Sequence, residues 1–158
     1  MDISFTSGNS KFNYRVGAII LNGNKILAMR DERSPYYYLV GGRVKLGETA
    51  EQAILRELKE ELGVAAKTVR PLFFNQSFFN EDVDRLDYHE LCVYYLVDLT
   101  ESGILSLGER FERREGAKTL WFEWLELSRL KDEYFYPLFL KERIFSLPDS
   151  PEFITEYE

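Results

Sequence analysis

One stretch of the sequence decides the fold, and it reads Gly42-Arg43-Val44-Lys45-Leu46-Gly47-Glu48-Thr49-Ala50-Glu51-Gln52-Ala53-Ile54-Leu55-Arg56-Glu57-Leu58-Lys59-Glu60-Glu61-Leu62-Gly63-Val64. Apolar residues recur in its second half at intervals of four, at Ile54, Leu58 and Leu62. This spacing predicts a helix over residues 51–62. Thr49 is a good N-cap, and Gln52 three residues later completes a capping box. Gly63 follows the last turn and can adopt the left-handed conformation that ends many helices.

Three glutamates lie on one side of this predicted helix, next to its apolar stripe. Residues three and four positions apart are neighbours on a helix, so Glu57, Glu60 and Glu61 share one arc. Ala50 and Ala53 lie in the same arc and are too small to cover the carboxylates. Like charges at this spacing repel by roughly 0.2–0.5 kcal/mol per exposed pair. The arrangement is therefore either a solvated helix face or a site that a cation stabilises.

The residue types indicate which cation would convert this repulsion into affinity. Carboxylate oxygens without thiolate or imidazole ligands favour Mg²⁺ or Mn²⁺ over Zn²⁺. His89 and Cys92 are the only histidine and cysteine, so neither an intrachain disulfide nor a thiolate zinc cluster can form. Mg²⁺ is usually bound by a few carboxylates together with substrate phosphates. We therefore expect a phosphate anhydride as the substrate class.

The whole stretch follows a longer pattern: Gly, five residues, Glu, seven residues, then Arg-Glu-apolar-x-Glu-Glu-x-Gly-apolar. This resembles the Nudix box, which here covers residues 42–64, and the protein is similar to the Nudix hydrolase family. The resemblance implies an α+β fold, an α/β/α sandwich around a mixed β-sheet. It also implies hydrolysis of a nucleoside diphosphate linked to another moiety, with Mg²⁺ or Mn²⁺ as the cofactor.

The resemblance assigns roles to individual residues of the box. Glu57, Glu60 and Glu61 would be the metal ligands and water activators, with Glu57 either a ligand or the base. The backbone carbonyl of Gly41 or Gly42 would supply a further metal oxygen.

Other charged residues would complete this catalytic set. Arg56 would hold a box glutamate in place through a charge-assisted hydrogen bond. Glu48 would assist at the joint between loop and helix, although a favourable interaction with the helix dipole explains an acid there equally well. Many members take one more acid from a later loop, and Glu115 is the candidate for a catalytic and metal-binding role. Glu112 and Glu109 are its rivals, and a solvated loop charge is the alternative for all three.

Candidate substrate-binding residues lie beside the box. Arg30 and Arg43 could pair with phosphates, although each could equally be a surface arginine. Tyr38 could stack on a base, with core or dimer packing as the alternative for this tyrosine-rich segment. Val40 stands where many family members have Pro, so the entry to the box is expected to be less rigid.

Outside the box the sequence predicts mainly strands, within a single domain covering residues 1–158. Asn22-Gly23 between two apolar runs is a strong hairpin signal. Predicted strands cover residues 14–21, 25–30, 36–40, 69–79, 89–98 and 119–124. Residues 1–11 are either a frayed lead-in or a first edge strand. The charged segment 101–118 is interpreted as a long loop.

A second helix is predicted near the carboxyl end. Pro137 can open it, Leu140 and Ile144 would face the core, and Pro148 would stop it.

The composition excludes several classes of partner. The net charge of −7 argues against binding bulk nucleic acid, which needs a basic surface. No apolar run approaches the roughly 20 residues that cross a bilayer, so no membrane partner is expected. The start of the chain lacks the pattern of a signal peptide, which predicts a cytoplasmic protein. Aromatic residues make up 15% of the chain and supply apolar material for a homodimer.

Three functions follow from the resemblance. The first is a nucleoside triphosphate pyrophosphohydrolase of the MutT type, acting on a small-molecule nucleotide. The second is an ADP-ribose or nucleotide-sugar pyrophosphatase, which is disfavoured because Asn80 stands where many ADP-ribose enzymes of the family carry Pro. The third is a non-catalytic nucleotide-binding sensor, which is disfavoured because the acids of the box are intact.

Overall fold

The computed structural model describes residues 1–66 and 68–158 of the chain. Its strands are β1 (Ser4–Ser7), β2 (Ser10–Asn22), β3 (Lys25–Asp31), β4 (Gly41–Arg43), β5 (Thr68–Asn80), β6 (Asp87–Asp98), β7 (Arg110–Glu115), β8 (Lys118–Glu126) and β9 (Glu152–Tyr157). Its α-helices are α1 (Ala50–Leu62) and α2 (Leu140–Arg143), and 3₁₀ turns cover Ile104–Leu107 and Leu127–Asp132. Within these described residues, no helix is long and apolar enough to span a membrane.

The strands form a mixed sheet in the order β7-β8-β3-β2-β6-β5-β9, with β1 and β4 also paired to β2. Strand β2 runs parallel to β6 and antiparallel to β3 and β4. The hairpin predicted at Asn22-Gly23 joins β2 to β3. Because β4 pairs with β2 through Gly41, Gly42 and Arg43, the start of segment 42–64 lies directly against the central strand. The α+β class expected from the sequence is confirmed.

Apolar layers cover both faces of the sheet, because successive side chains of a strand point to opposite sides. The layer under α1 contains buried residues of β2 and the helix, namely Val16, Ala18, Ile20, Ala53, Ile54, Leu58 and Leu62. The opposite layer packs the sheet against the carboxyl-terminal segment, through Ile19, Ala28, Phe73, Leu130, Phe135, Leu140 and Ile144. The helical stripe predicted from the sequence is therefore the face that α1 buries.

The strand prediction for residues 36–40 is wrong. In this segment only Tyr37 and Tyr38 form isolated bridges, to Phe135 and Met29 respectively. The regular strand is β4, which begins at Gly41, one residue beyond the predicted range. Two glycines in succession weaken any sequence signal for a strand, and β4 forms because tertiary contact with β2 overrides that preference.

The prediction of a long loop over residues 101–118 is also wrong, because this segment contains the 3₁₀ turn Ile104–Leu107 and strand β7. Strand β7 pairs with β8, and Phe111 stacks on Phe122 with ring centroids 5.0 Å apart. Five of the six residues of β7 are exposed, so charged residues occupy both faces and no alternation marks the strand.

Both ends of the chain form strands at the margins of the sheet. Of the two readings of residues 1–11, the first edge strand is correct for Ser4–Ser7. Strand β9 was not predicted, and it pairs parallel with β5. The predicted second helix is short, covering Leu140–Arg143, but Leu140 and Ile144 are buried as expected.

Candidate active site

Helix α1 is fixed at both ends by the local signals present in the sequence. The Thr49 side chain accepts a 3.1 Å hydrogen bond from the Gln52 N–H, and the Gln52 side chain accepts one of 2.9 Å from the Thr49 N–H. Gly63 has a φ of 68°, and its N–H bonds the last turn of the helix. The predicted capping box and the predicted glycine end are confirmed. These caps define the first and last residues of the helix that carries the three glutamates.

Glu61 is buried between α1 and β4. Its residue is 7% exposed, and its Oε1 accepts a 3.0 Å hydrogen bond from the backbone N–H of Gly41. Burial raises the pKa of the Glu61 carboxyl to about 8, with further increases from the charges of Glu57 and Glu115. The Gly41 N–H and the charge of Arg15 oppose the shift without cancelling it.

Glu57 is also buried, and its carboxylate lies against the backbone of Gly42. A Cβ atom at Gly42 would stand 2.2 Å from the Glu57 Oε1, so only glycine leaves room for the carboxylate there. Burial raises the pKa of Glu57, as do the charges of Glu60 and Glu115, whereas Arg56 lowers it. The fold thus holds a desolvated carboxylate of α1 in contact with a glycine of β4.

Arg56 connects the loop of the box to its helix. Its guanidinium donates two hydrogen bonds to Glu48, of 2.7 and 3.0 Å, and one of 2.8 Å to Glu57. It also donates to the backbone carbonyl of Arg43 at 3.0 Å and to the more exposed Glu60 at 3.3 Å. This fork holds the pKa of Glu48 down to about 2. The structure therefore gives Glu48 a definite contact, as the principal carboxylate partner of Arg56.

Glu115 ends β7 next to the tight turn that leads into β8, and its charge acts on both Glu57 and Glu61. Its rival Glu109 is instead engaged with Lys25. Its other rival, Glu112, pairs with Trp121 of β8, and the leading charges that act on Glu57 and Glu61 include Glu115 and not Glu112. Of the three acids considered in this segment, Glu115 is the one that the fold brings towards the two buried glutamates.

The candidate substrate-binding residues are distributed around this acidic centre. The Tyr38 hydroxyl donates a 2.9 Å hydrogen bond to Asp31. Burial and Asp31 raise the pKa of Tyr38, and the charge of Glu61 adds a smaller contribution. The Arg43 side chain points to Asp2, with 3.6 Å between the charged atoms. The Arg30 guanidinium lies 4.6 Å from the ring centroid of Tyr37. Of the three side chains, Tyr38 has the clearest electrostatic link to the buried carboxylates.

The donor set fits a hard divalent cation, since it consists of carboxylates and backbone carbonyls. Glu57 and Glu61 are both buried with raised pKa values, and the missing Cβ of Gly42 leaves space beside one of them. In the described part of the chain, no three acidic, histidine or cysteine side chains already converge as a ligand cluster. The charge of Glu57 helps to raise the pKa of Glu61, so a cation held here would compensate a repulsion that the fold imposes.

Two polar residues of the central strands were not predicted as site residues, and of these Arg15 lies near enough to Glu61 for their charges to interact. Arg15 interrupts the apolar strand β2, and Asn75 lies at the centre of β5. The sequence does contain a signal for both residues. Each is a polar side chain within an otherwise apolar strand, which breaks the usual alternation of apolar and polar residues.

Comparison with known proteins identifies the family. The NUDIX domain model matches residues 11–142. The MutT protein of Bacillus halodurans has the same fold, with a TM-score of 0.68 and 14% identity over 92% of this chain and 89% of that chain. The MutT NUDIX hydrolase of Burkholderia pseudomallei has a TM-score of 0.56 and 25% identity over 84% of this chain and 94% of that chain.

Two curated relatives match over shorter stretches. An ADP-ribose pyrophosphatase of Methanocaldococcus jannaschii is 44% identical over 55 residues, which cover 33% of this chain and 32% of that protein. An RNA pyrophosphohydrolase of Baumannia cicadellinicola is 42% identical over 67 residues, which cover 40% of this chain and 42% of that protein. The matches thus span less than half of either relative. Together with the domain match, the box and its buried carboxylates place this chain in the Nudix family.

Proposed function

We propose that this protein is a metal-dependent hydrolase that cleaves a phosphoanhydride bond of a nucleoside diphosphate linked to another moiety. The observation that carries the proposal is a pair of buried carboxylates against strand β4. Glu57 lies against Gly42, and Glu61 accepts a hydrogen bond from Gly41. Two desolvated like charges are unfavourable unless a cation or a proton compensates them. A Mg²⁺ ion bound beside them would supply that compensation, and phosphate oxygens of the substrate would complete its coordination.

Each side chain of the site has a distinct task in this proposal. Mg²⁺ or Mn²⁺ would be held by Glu57, Glu60 and Glu61, with Glu115 and a carbonyl of Gly41 or Gly42. The bound ion supplies charge compensation for the phosphates and lowers the pKa of an attacking water.

The side chains of the box accept the proton of the attacking water and hold one another in position. A box glutamate accepts the proton of the water, with Glu57 either in this role or as a ligand. Arg56 fixes Glu57 and the loop through its contacts with Glu48 and the Arg43 carbonyl.

The substrate we propose is a nucleoside triphosphate, cleaved with release of pyrophosphate. The likeness to the MutT NUDIX hydrolase of Burkholderia pseudomallei supports this choice. The second candidate is ADP-ribose or a nucleotide sugar, favoured by the 44% identity with an ADP-ribose pyrophosphatase over the aligned segment. The two differ in their products, since the first yields pyrophosphate and the second yields two monophosphates.

The test is a substrate panel with product analysis. Nucleoside triphosphates, ADP-ribose, a nucleotide sugar and a 5′-triphosphorylated RNA are incubated with Mg²⁺, and the products are separated. Hydrolysis in ¹⁸O-labelled water locates the attacked phosphorus, because the label stays with that phosphate.

Variants decide whether the box performs the reaction. Glu61→Gln and Glu60→Gln should each lower kcat severely while leaving the circular dichroism spectrum unchanged. Glu126→Gln, on β8, is a matched control that should keep full activity. Near-normal turnover by both box variants would refute the assignment, and tight nucleotide binding without turnover by the native chain would favour the sensor instead.

The cytoplasmic location and a homodimer belong to the same proposal. Support for the dimer comes from exposed aromatic side chains on the outer strands, including Phe153 and Tyr157, which are 78% and 81% exposed. Light scattering on the native chain and on Phe153→Glu tests this, because a charge in the interface should release monomers.

A further inference from the structure

The sheet face that packs against α1 continues beyond the helix, and there it carries a row of aromatic side chains. The row crosses five neighbouring strands, β1, β2, β6, β5 and β9, and each member is the direct cross-strand partner of the next. We call it the aromatic row, and its members in this order are Phe5, Phe12, His89, Phe78 and Tyr157. Successive ring centroids are 5.3, 5.6, 4.5 and 5.1 Å apart. The row therefore forms one continuous aromatic surface across the sheet.

Helix α1 does not cover the aromatic row. Along β2, Val16 is 1% exposed in the layer under α1, whereas Phe12 lies four residues earlier on the same face and is only half-buried. His89 is exposed at the centre of the row, and Phe5 and Tyr157 are exposed at its two ends. A large apolar surface that is open to solvent marks a site where another molecule binds.

The uncovered area is large enough for a stable interface. Phe153 lies on the same face of β9 as Tyr157, and its ring centroid is 5.3 Å from that of Phe74. Phe5, Phe153 and Tyr157 are 61%, 78% and 81% exposed, and a fully enclosed aromatic side chain buries about 150–250 Å². These three rings alone thus leave on the order of 400 Å² uncovered. With the partly exposed residues between them, the face approaches the roughly 800 Å² per partner that a standard interface buries.

The chemistry of this face fits a second copy of the chain. Neither the aromatic row nor the next row along the same strands contains Asp, Glu, Lys or Arg, and that next row consists of Tyr14, Leu91, Gln76 and Thr155. A nucleic acid or a charged peptide would find no complementary charge here. An identical face, by contrast, leaves no charge unpaired when it covers the row, and charged residues are depleted at the core of such interfaces.

We propose that the aromatic row is the interface of a homodimer in which two sheets pack face to face. Strand β6 is the third of the five strands, so the two-fold axis passes near His89, and His89 lies opposite its own copy. Stacked sheets lie about 10 Å apart, which lets the side chains of the two rows contact each other. This inference rests on the homodimer of the proposed function and assigns it to one surface.

This interface leaves the hydrolytic centre open. Glu61 contacts Gly41, which is the strand partner of Gly17 on β2. Phe12 lies five residues before Gly17, about 16 Å away along that strand. Variants of the aromatic row should therefore change the association of the protein without changing kcat.

Sedimentation velocity of the full chain at micromolar concentration is the first test. The native protein should sediment with twice the mass of the 18.6 kDa chain. His89→Glu places two carboxylates opposite each other at the axis, so the dissociation constant should rise about 100-fold. Tyr157→Glu, at the exposed end of the row, keeps the test decisive if His89→Glu does not fold. The matched control is Phe145→Glu, because Phe145 is a 65% exposed ring outside the row and this variant should stay dimeric.

Crosslinking tests the position of the axis. Cys92 is the only cysteine and is 3% exposed, so the native chain gives little background with a thiol reagent. His89→Cys should be joined to its own copy by a bismaleimide that spans about 10 Å, the spacing of stacked sheets. Phe145→Cys should remain uncrosslinked under the same conditions.

The outcomes separate this inference from the rest of the proposed function. A dimer that Phe153→Glu dissociates and His89→Glu does not would place the contact at the free edge of β9, which would refute the aromatic row and keep the homodimer. A native chain that is monomeric and hydrolyses nucleotides would refute the interface and support the hydrolase. A dimer that His89→Glu dissociates, in a chain without turnover, would support the interface and refute the hydrolase.

Discussion

The backbone N–H of Gly41 donates a 3.0 Å hydrogen bond to Oε1 of Glu61, two residues that are 20 positions apart. This bond joins the strand paired with β2 to the last turn of α1. It holds the carboxylate in a buried position where its own charge is poorly solvated. The site therefore depends on β4 and α1 being fixed against each other.

The stability of the metal-free protein should fall as the pH rises from about 4.5 to about 8. Burial raises the pKa of Glu61 from 4.5 to about 8, so in this range the unfolded chain releases a proton that the folded chain keeps. The unfolded state then gains relative stability with increasing pH. Thermal unfolding in the presence of a chelator measures the effect, and Glu61→Gln should show a shallower dependence. Saturating Mg²⁺ should raise the melting temperature more at pH 8 than at pH 4.5, because the ion competes with that proton.

Glu158 provides a control for this pH dependence. Its pKa is also raised, to about 7, by burial and the neighbouring acids Glu156 and Glu90. Glu158→Gln should therefore also reduce the pH slope, but it should leave the Mg²⁺ effect intact because the residue lies outside the box. Loss of the Mg²⁺ effect in Glu158→Gln, or its full retention in Glu61→Gln, would contradict the assignment of the site.

The parts of the fold that the sequence predicted are those determined by nearby residues. The caps at Thr49 and Gly63 and the stripe of Glu57, Glu60 and Glu61 depend on contacts within one helix, so spacing alone defines them. Strand β9, by contrast, exists because it pairs with β5, about 80 residues earlier in the chain. Strand β7 is charged on both faces and is recognisable only from its partner β8.

The same distinction applies within the site. The partners that Arg56 finds in Glu48 and Glu57 lie close in sequence and follow from the box. The placement of Arg15 near Glu90 depends on the parallel pairing of β2 with β6, which no local pattern encodes. Contacts between distant strands therefore determine what surrounds the box, and sequence spacing determines the box itself.

Replacing Arg56 should show how much this residue contributes to the free energy of unfolding. Arg56→Gln leaves two partly buried carboxylates, Glu48 and Glu57, without their cation, so we expect a loss of about 2 kcal/mol in unfolding free energy at neutral pH. Because Arg56 holds the pKa of Glu48 at about 2, this contribution is present above pH 4.5 and disappears as the pH falls towards 2. Urea denaturation should thus show native chain and variant converging in acid.

A surface arginine calibrates this measurement. Arg143 pairs with Glu152 at 2.6 Å in a more exposed setting, and Arg143→Gln should cost less than about 1 kcal/mol. Arg56→Lys should fall between the two, because lysine keeps the charge and loses the planar fork. A cost for Arg56→Gln no larger than that for Arg143→Gln would show that Arg56 does not stabilise the box.

The two glycines of the box entry should respond differently to alanine. A Cβ at Gly41 would lie 2.1 Å from the backbone carbonyl oxygen of Val16, so Gly41→Ala must move a strand and should lower the melting temperature markedly. A Cβ at Gly42 would instead lie 2.2 Å from a carboxylate oxygen of Glu57, a side chain that can rotate. Gly42→Ala should therefore keep most of its stability and lose roughly 100-fold in kcat, because Glu57 is displaced. Equal loss of stability in both variants would contradict this distinction.

Replacing Glu115 should test its proposed role as a metal ligand, and Glu112 on the same strand is the matched control. If Glu115 is a ligand, Glu115→Gln should raise the Mg²⁺ concentration needed for half-maximal activity by about tenfold. It should also lower the pKa of Glu61, since it removes a repelling charge, and so reduce the pH dependence of metal-free stability. Glu112→Gln should change neither quantity. A variant Glu115→Gln that alters the pH dependence and leaves the Mg²⁺ requirement unchanged would show that Glu115 acts on the buried carboxylates as a nearby charge alone, and the ligand set would then end with the three glutamates of α1 and the glycine carbonyl.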